Sequence, residues 1–151
     1  MKKRTLAAAA ALTLIVTGTA IAHKGATGMV KMRMDAMSAI GDNMKSISAM
    51  LTGKATFDGA LLSTQAREIS DHATTFPDHF MMQMDDQMTE ASPAIWEKPD
   101  EFKKQSAVLA ELANALSAKA AEATIGEALT ADFQAVAGTC KSCHEQFRIK
   151  K

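Results

Sequence analysis

Near the C-terminal end of the sequence stand Cys140, Lys141, Ser142, Cys143 and His144, two thiols three residues apart with an imidazole directly behind them. That spacing is the attachment signature of a c-type haem. Each thiol adds to one vinyl group of the ring, and the adjacent imidazole then reaches the iron from one side. Two rival chemistries use the same cysteine spacing. A thiol–disulfide oxidoreductase opens a helix with the pair, where the helix dipole lowers a thiol pKa, whereas here the pair closes a helical pattern. A structural zinc ion needs about four ligands, and the sequence offers no second Cys/His cluster to supply them.

The elements that must position these groups are helical. Leu129, Phe133, Val136, Cys140, Cys143 and Phe147 fall at helical spacing, which predicts a last helix with both cysteines on its buried stripe. His144 follows Cys140 by four residues and Arg148 follows His144 by four, so a single face is expected to present two thiols, a ligand and a cation. A first helix is predicted over Gly28–Leu51, stopped by Thr52 and Gly53. Val30, Met37, Met44 and Leu51 recur every seventh residue in it, interleaved with Ile40 and Ile47. Extending that second series backwards reaches Arg33, a charge where an apolar residue is expected. It either snorkels outward at the end of a bundle or pairs with a haem propionate.

A second helix is predicted behind Asp58 as N-cap, with Leu62, Ile69 and Phe76 on its seam, ending before Pro77. His72 and His79 near its end read as surface or hydrogen-bonded histidines rather than second axial ligands. From Phe76 to Pro99 runs one long connection holding all three prolines, Met81, Met82, Met84, Met88 and the only Trp, Trp96, with helical stretches between Pro77 and Glu90. Its methionines read as apolar packing. A third helix starts near Asp100 and is expected to bury Phe102, Leu109, Leu112 and Leu116. After a break at Ala123 and Thr124, a capping box between Thr124 and Glu127 is expected to open the fourth. Four amphipathic helices with two short links and one long one predict an all-α, antiparallel up-down four-helix bundle.

The chain has 151 residues with seventeen basic and seventeen acidic side chains. Lys2, Lys3 and Arg4, an Ala/Leu-rich run and Ala20-Ile21-Ala22 read as a signal peptide over residues 1–22. Its removal leaves one domain over 23–151, with no membrane segment and fourteen basic against seventeen acidic groups, a net charge of −3. Such a mildly acidic, unpatterned chain excludes nucleic acid as a partner class. Covalent haem attachment belongs to an extracytoplasmic compartment, so a periplasmic location is expected. His23, first in the mature chain, reads as flexible lead rather than a copper site.

With these residues in place, the chain from Val30 onward resembles the class II c-type cytochromes, most closely the cytochrome c prime family. The matching pieces are Arg33 with Met37, Asn43-Met44-Lys45 with Ile47, Phe76-Pro77, Ile95-Trp96 before Phe102, and the ending that runs from Cys140 to Lys150. The resemblance implies one haem c held by Cys140 and Cys143, His144 as proximal iron ligand, and Arg148 as the basic neighbour of its exposed side. It implies Arg33 facing a propionate and Met37 against the distal face, as crowding group over five-coordinate iron or as sixth ligand in a low-spin branch. It further implies a periplasmic homodimer packed through the first two helices, with redox partner proteins, and a role in electron transfer or in binding nitric oxide and carbon monoxide. Thioether ligation raises a haem potential, while an open apolar site without a hydrogen-bond donor favours those two gases over dioxygen. An enzyme of peroxidase type would need a distal His with a neighbouring Arg, which the sequence does not offer, so the expectation is a non-enzymatic cytochrome.

Overall fold

The computed structural model describes residues 27–83 and 89–149. Four long helices carry the chain: α1 (Gly28–Leu51), α2 (Gly59–Thr75), α4 (Pro99–Glu122) and α5 (Thr130–Phe147), with the one-turn α3 (Ala94–Glu97) ahead of α4. Two 3₁₀ turns, Phe76–Phe80 and Gly126–Leu129, extend the exit of α2 and the entry to α5. Together they form an antiparallel four-helix bundle with two short links and one long one. Among the described residues the only β pairing is an isolated antiparallel bridge between Ala91 and Arg148. The proposed signal peptide over residues 1–22, His23, Met84 and Met88 lie outside the described residues.

The helix ends follow local chemistry. Gly53 adopts φ 72°, the left-handed conformation that closes α1, and the amide of Lys54 then reaches the carbonyl of Ala49 at 2.9 Å. Asp58 caps α2 by accepting from the amide of Leu61 at 2.9 Å. At α4 the proline Pro99 takes the first turn, where a missing N–H costs nothing, and Asp100 and Glu101 follow on the dipole's positive end. The expected capping box does not form. Ile125, not Thr124, stands extended at the N-cap of the Gly126–Leu129 turn with no side-chain bond, and this tight turn takes the place of the cap.

Two apolar clusters fill the bundle. One joins Ile40, Ile47, Met50, Leu62, Ala66, Ile69, Ala113, Leu116, Ala120, Leu129 and Val136. The other is aromatic: Phe76, Phe80, Phe102 and Phe147 meet edge to face, with Ala36 and Ile95 beside them. Packing departs from the heptad reading at several positions. Met37, Met44 and Leu51 are half-buried while Ala36 and Met50 are buried, and in α4 Leu109 and Leu112 give way to Ser106, Ala110, Ala113, Ser117 and Ala120.

Small residues win on α4 because α2 lies so close. A β-carbon on Gly59 would stand 2.7 Å from the carbonyl oxygen of Ala120 and 2.9 Å from that of Ala123. Serine hydroxyls bridge the same contact, Ser70 donating to Ala110 at 2.9 Å, Ser106 to Ala73 at 2.7 Å and Ser117 to Ser63 at 2.8 Å, each to a main-chain oxygen. Buried hydroxyls are thereby satisfied without widening the gap. Onto this close pair α1 is tied by bonds between side chains, Asn43 to Glu68 at 2.9 Å and Gln65 to Ser46 at 2.8 Å.

Candidate functional site

At the aromatic end of the bundle a cavity of about 580 Å³ opens between helices. From α1 it is lined by Val30, Arg33, Met34, Met37 and Ser38, from the long connection by Phe76, Phe80, Thr89, Glu90, Ala91 and Ile95, and from α4 by Phe102. The end of the chain closes it with Cys143, His144, Phe147 and Arg148. Its volume falls within the ordinary range for sites of organic ligands, roughly 300–1,000 Å³.

The geometry follows from α5. Val136 anchors this helix in the bundle interior and Phe147 anchors its end in the aromatic cluster. Cys140 and Cys143 are both free and half-buried between those anchors. Burial pushes the Cys143 thiol up to about 11, with Cys140 as a second cause, and raises Cys140 as well. The free thiols are therefore protonated at neutral pH. Cys143 lines the cavity, whereas Cys140 sits a turn earlier with its Sγ near the carbonyl of Val136 at 3.6 Å. His144 is on the exposed side of α5 at the cavity's edge. Burial of its ring and the nearby Arg148 hold its pKa below the ordinary value, with Glu90 acting in the opposite sense. A neutral imidazole is the form that ligates a metal.

Arg33 is 5% exposed, which rules out the snorkelling alternative. Its Nε donates to the carbonyl of His79 at 2.8 Å, its Nη2 to that of Met82 at 3.2 Å, and the guanidinium lies over the Phe80 ring at 4.3 Å. The third nitrogen, Nη1, is buried without a hydrogen-bond partner among the described residues. Beside it the indole of Trp96 donates to the carbonyl of Phe80 at 2.8 Å, so three carbonyls between His79 and Met82 are held by two side chains. Met37, half-buried, packs against both apolar clusters as it enters the cavity wall. His72 and His79 are not among the lining residues.

Arg148 departs from the helical reading. The helix ends at Phe147 and Arg148 is extended, with φ −114° and ψ 136°, so it does not continue the face of His144. It pairs instead with Glu90, whose Oε2 accepts from Nε at 2.8 Å and from Nη2 at 2.5 Å. Glu90, Thr89, Met34 and Ser38 are lining residues that sequence reasoning missed. Met34 and Ser38 flank Arg33 and Met37 at the spacing of adjacent helical turns, a signal available in the sequence, but Glu90 reaches the site through a long connection that has no periodicity to read.

The donor set suits one kind of occupant. Two free thiols three residues apart, a neutral imidazole behind them, an apolar aromatic wall and a buried guanidinium nitrogen lacking an anion together fit a flat, largely apolar ring that carries a metal and an acid group. The peptide chemistry fits haem c.

Comparison with known proteins agrees with this fit. The model of the family described as Cytochrome C' matches residues 28–148. Cytochrome c-556 of Agrobacterium fabrum is 34% identical over 156 residues, covering 100% of this chain and 99% of its own length. Cytochrome c' of Rhodopseudomonas palustris is 35% identical over 154 residues, covering 100% of this chain and 99% of its own. Among solved structures, cytochrome c prime from Shewanella frigidimarina superposes with a TM-score of 0.73 at 26% identity, covering 81% of this chain and 94% of the other.

Proposed function

The chain belongs to the cytochrome c′ family, a monohaem c-type cytochrome by that membership, and from this premise we propose that it transfers electrons and binds nitric oxide or carbon monoxide at five-coordinate haem iron. One observation carries the reading: the cavity that ends at His144 is walled by Met37 of α1 and by the aromatic rings of the other elements, with Arg33 Nη1 unpaired among the described residues. In the proposed assignment Cys140 and Cys143 form the two thioether links, His144 is the proximal ligand and Arg33 Nη1 takes a propionate. The bound haem supplies a one-electron couple and a place for a diatomic ligand.

The chain's own residues set the conditions for that chemistry. Phe76, Phe80, Phe102 and Phe147 keep water out of the cavity and lower its local polarity. Met37 crowds the distal side without a proton to donate, a surrounding that supports preference for nitric oxide and carbon monoxide over dioxygen. Among the described residues His144 is the one histidine that lines the cavity, which supports a carrier rather than a peroxidase-type enzyme with a distal acid–base pair. A periplasmic location, export by the segment 1–22, redox partner proteins and a homodimer belong to the same proposal, supported by the family's character. No described helix is long and apolar enough to cross a membrane.

The second reading makes Met37 the sixth ligand of a low-spin electron carrier, and Met37's place in the cavity wall is what favours it. One optical spectrum separates the two. A five-coordinate site gives a high-spin ferrous spectrum that changes at once on adding carbon monoxide. A low-spin spectrum with a sulfur-to-iron charge-transfer band assigns the protein to the second reading.

A further inference from the structure

Arg148 and Ile149, which follow α5, are hydrogen-bonded in extended form to the end of the long connection beside His144. The amide of Ser92 donates to the carbonyl of Phe147 at 2.9 Å, and the amide of Ile149 donates to that of Glu90 at 2.8 Å, framing the bridge between Ala91 and Arg148. Within this frame the Glu90 carboxylate accepts from two nitrogens of Arg148. Taken alone, such a pair is weak, since the Arg148 and Glu90 side chains are 52% and 36% exposed and exposed ion pairs contribute about 0–1 kcal/mol. Here the two backbone bonds have already fixed both Cα positions, which removes much of the entropy that weakens a free surface pair. Both residues line the cavity together with His144.

We propose that Glu90 is a positioning residue for the haem site: its carboxylate holds the Arg148 guanidinium at the His144 end of the cavity, so that the influence of Arg148 on the site's reduction potential depends on Glu90. The inference rests on the haem reading above. A cation held close to the metal ligand favours the reduced, less positive state, and an anion favours the oxidised one. Without Glu90 the arginine side chain is free to swing into solvent, where water and salt screen it.

A double-mutant cycle on the haem-loaded protein tests this, with reduction potentials measured for wild type, Glu90→Gln, Arg148→Gln and the double variant at low ionic strength. Direct charge effects are the same in either background and cancel in the cycle. The expected result is that Arg148→Gln lowers the potential of the wild type by at least about twice as much as it lowers that of the Glu90→Gln protein. Equal shifts in the two backgrounds overturn the proposal. Amide exchange of Ser92 and Ile149 provides a second readout, expected to stay within about twofold of wild type in Glu90→Gln because the two backbone bonds hold the frame without the carboxylate. Much faster exchange at both amides would make Glu90 a support of the backbone frame and overturn the positioning role. Failure of the haem reading shows separately and earlier, as purified wild type without haem absorbance.

Discussion

Arg33 and Met37, one helical turn apart, carry most of the consequence at the scale of single residues. Arg33 is buried, satisfies two main-chain carbonyls and keeps a third nitrogen unpaired. Arg33→Leu strips the carbonyls of His79 and Met82 of their donor; Met82 is 67% exposed and water can replace its bond, so the cost is that of one part-buried carbonyl, about 1–3 kcal/mol. The loaded protein is therefore expected to unfold at lower denaturant by that order, with a reduction potential shifted and its dependence on pH altered. Arg33→Lys is expected to recover little, because a point ammonium does not reproduce the planar fork that spans both carbonyls. A potential unchanged across pH in Arg33→Leu would leave the residue a purely structural clamp. Met37→Ala is expected to speed carbon monoxide binding while leaving the high-spin spectrum as it was, since it removes bulk and not a ligand. Loss of a charge-transfer band in that variant is the outcome that makes Met37 the sixth ligand.

At the scale of elements, the closest helix approach described is that of the α2–α4 pair. Gly59 sits where its missing side chain lets α2 approach the last turn of α4, and the groups in the way are main-chain oxygens, which cannot rotate aside. Gly59→Ala is expected to destabilise the protein by about 1–3 kcal/mol despite the better helix propensity of alanine, as overpacking outweighs that small gain. Thermal unfolding of the loaded protein checks it, and a stability equal to or above wild type would show that the helix end moves freely. Several helix boundaries were legible from residues such as Asp58, Gly53 and Asp100, because capping, φ constraints and first-turn charge are local. The α4 face was not, because leucines at 109 and 112 carry the strongest hydrophobic signal, while the distance to α2 selects Ala113 and Ser117.

The whole molecule is organised to bring the two ends of the described chain to one cavity, α1 and the end of α5, with the long connection between them. A prosthetic group attached there would join these parts. Denaturing mass spectrometry of protein from haem-competent cells is expected to give the mature chain plus one haem, and a bare polypeptide mass would refute the assignment. Cys140→Ala with Cys143→Ala is expected to abolish covalent attachment entirely. His144→Ala is expected to retain the covalent haem and to lose the native spectrum.

The sequence by itself determined the chemistry and the class of fold. A Cys-x-x-Cys-His run needs no tertiary context to be read, and heptad spacing with local caps is enough to specify four amphipathic helices. Tertiary structure alone decided that Arg33 points inward onto the carbonyls of His79 and Met82, that Arg148 leaves the helix to pair with Glu90, and that Thr124 and Glu127 form no cap. These outcomes depend on where distant segments arrive. Arg33 and Met82 or Glu90 and Arg148 are brought together only by the long connection, and the direction a polar side chain takes is set by whichever buried carbonyl or carboxylate lies within reach once the helices have packed.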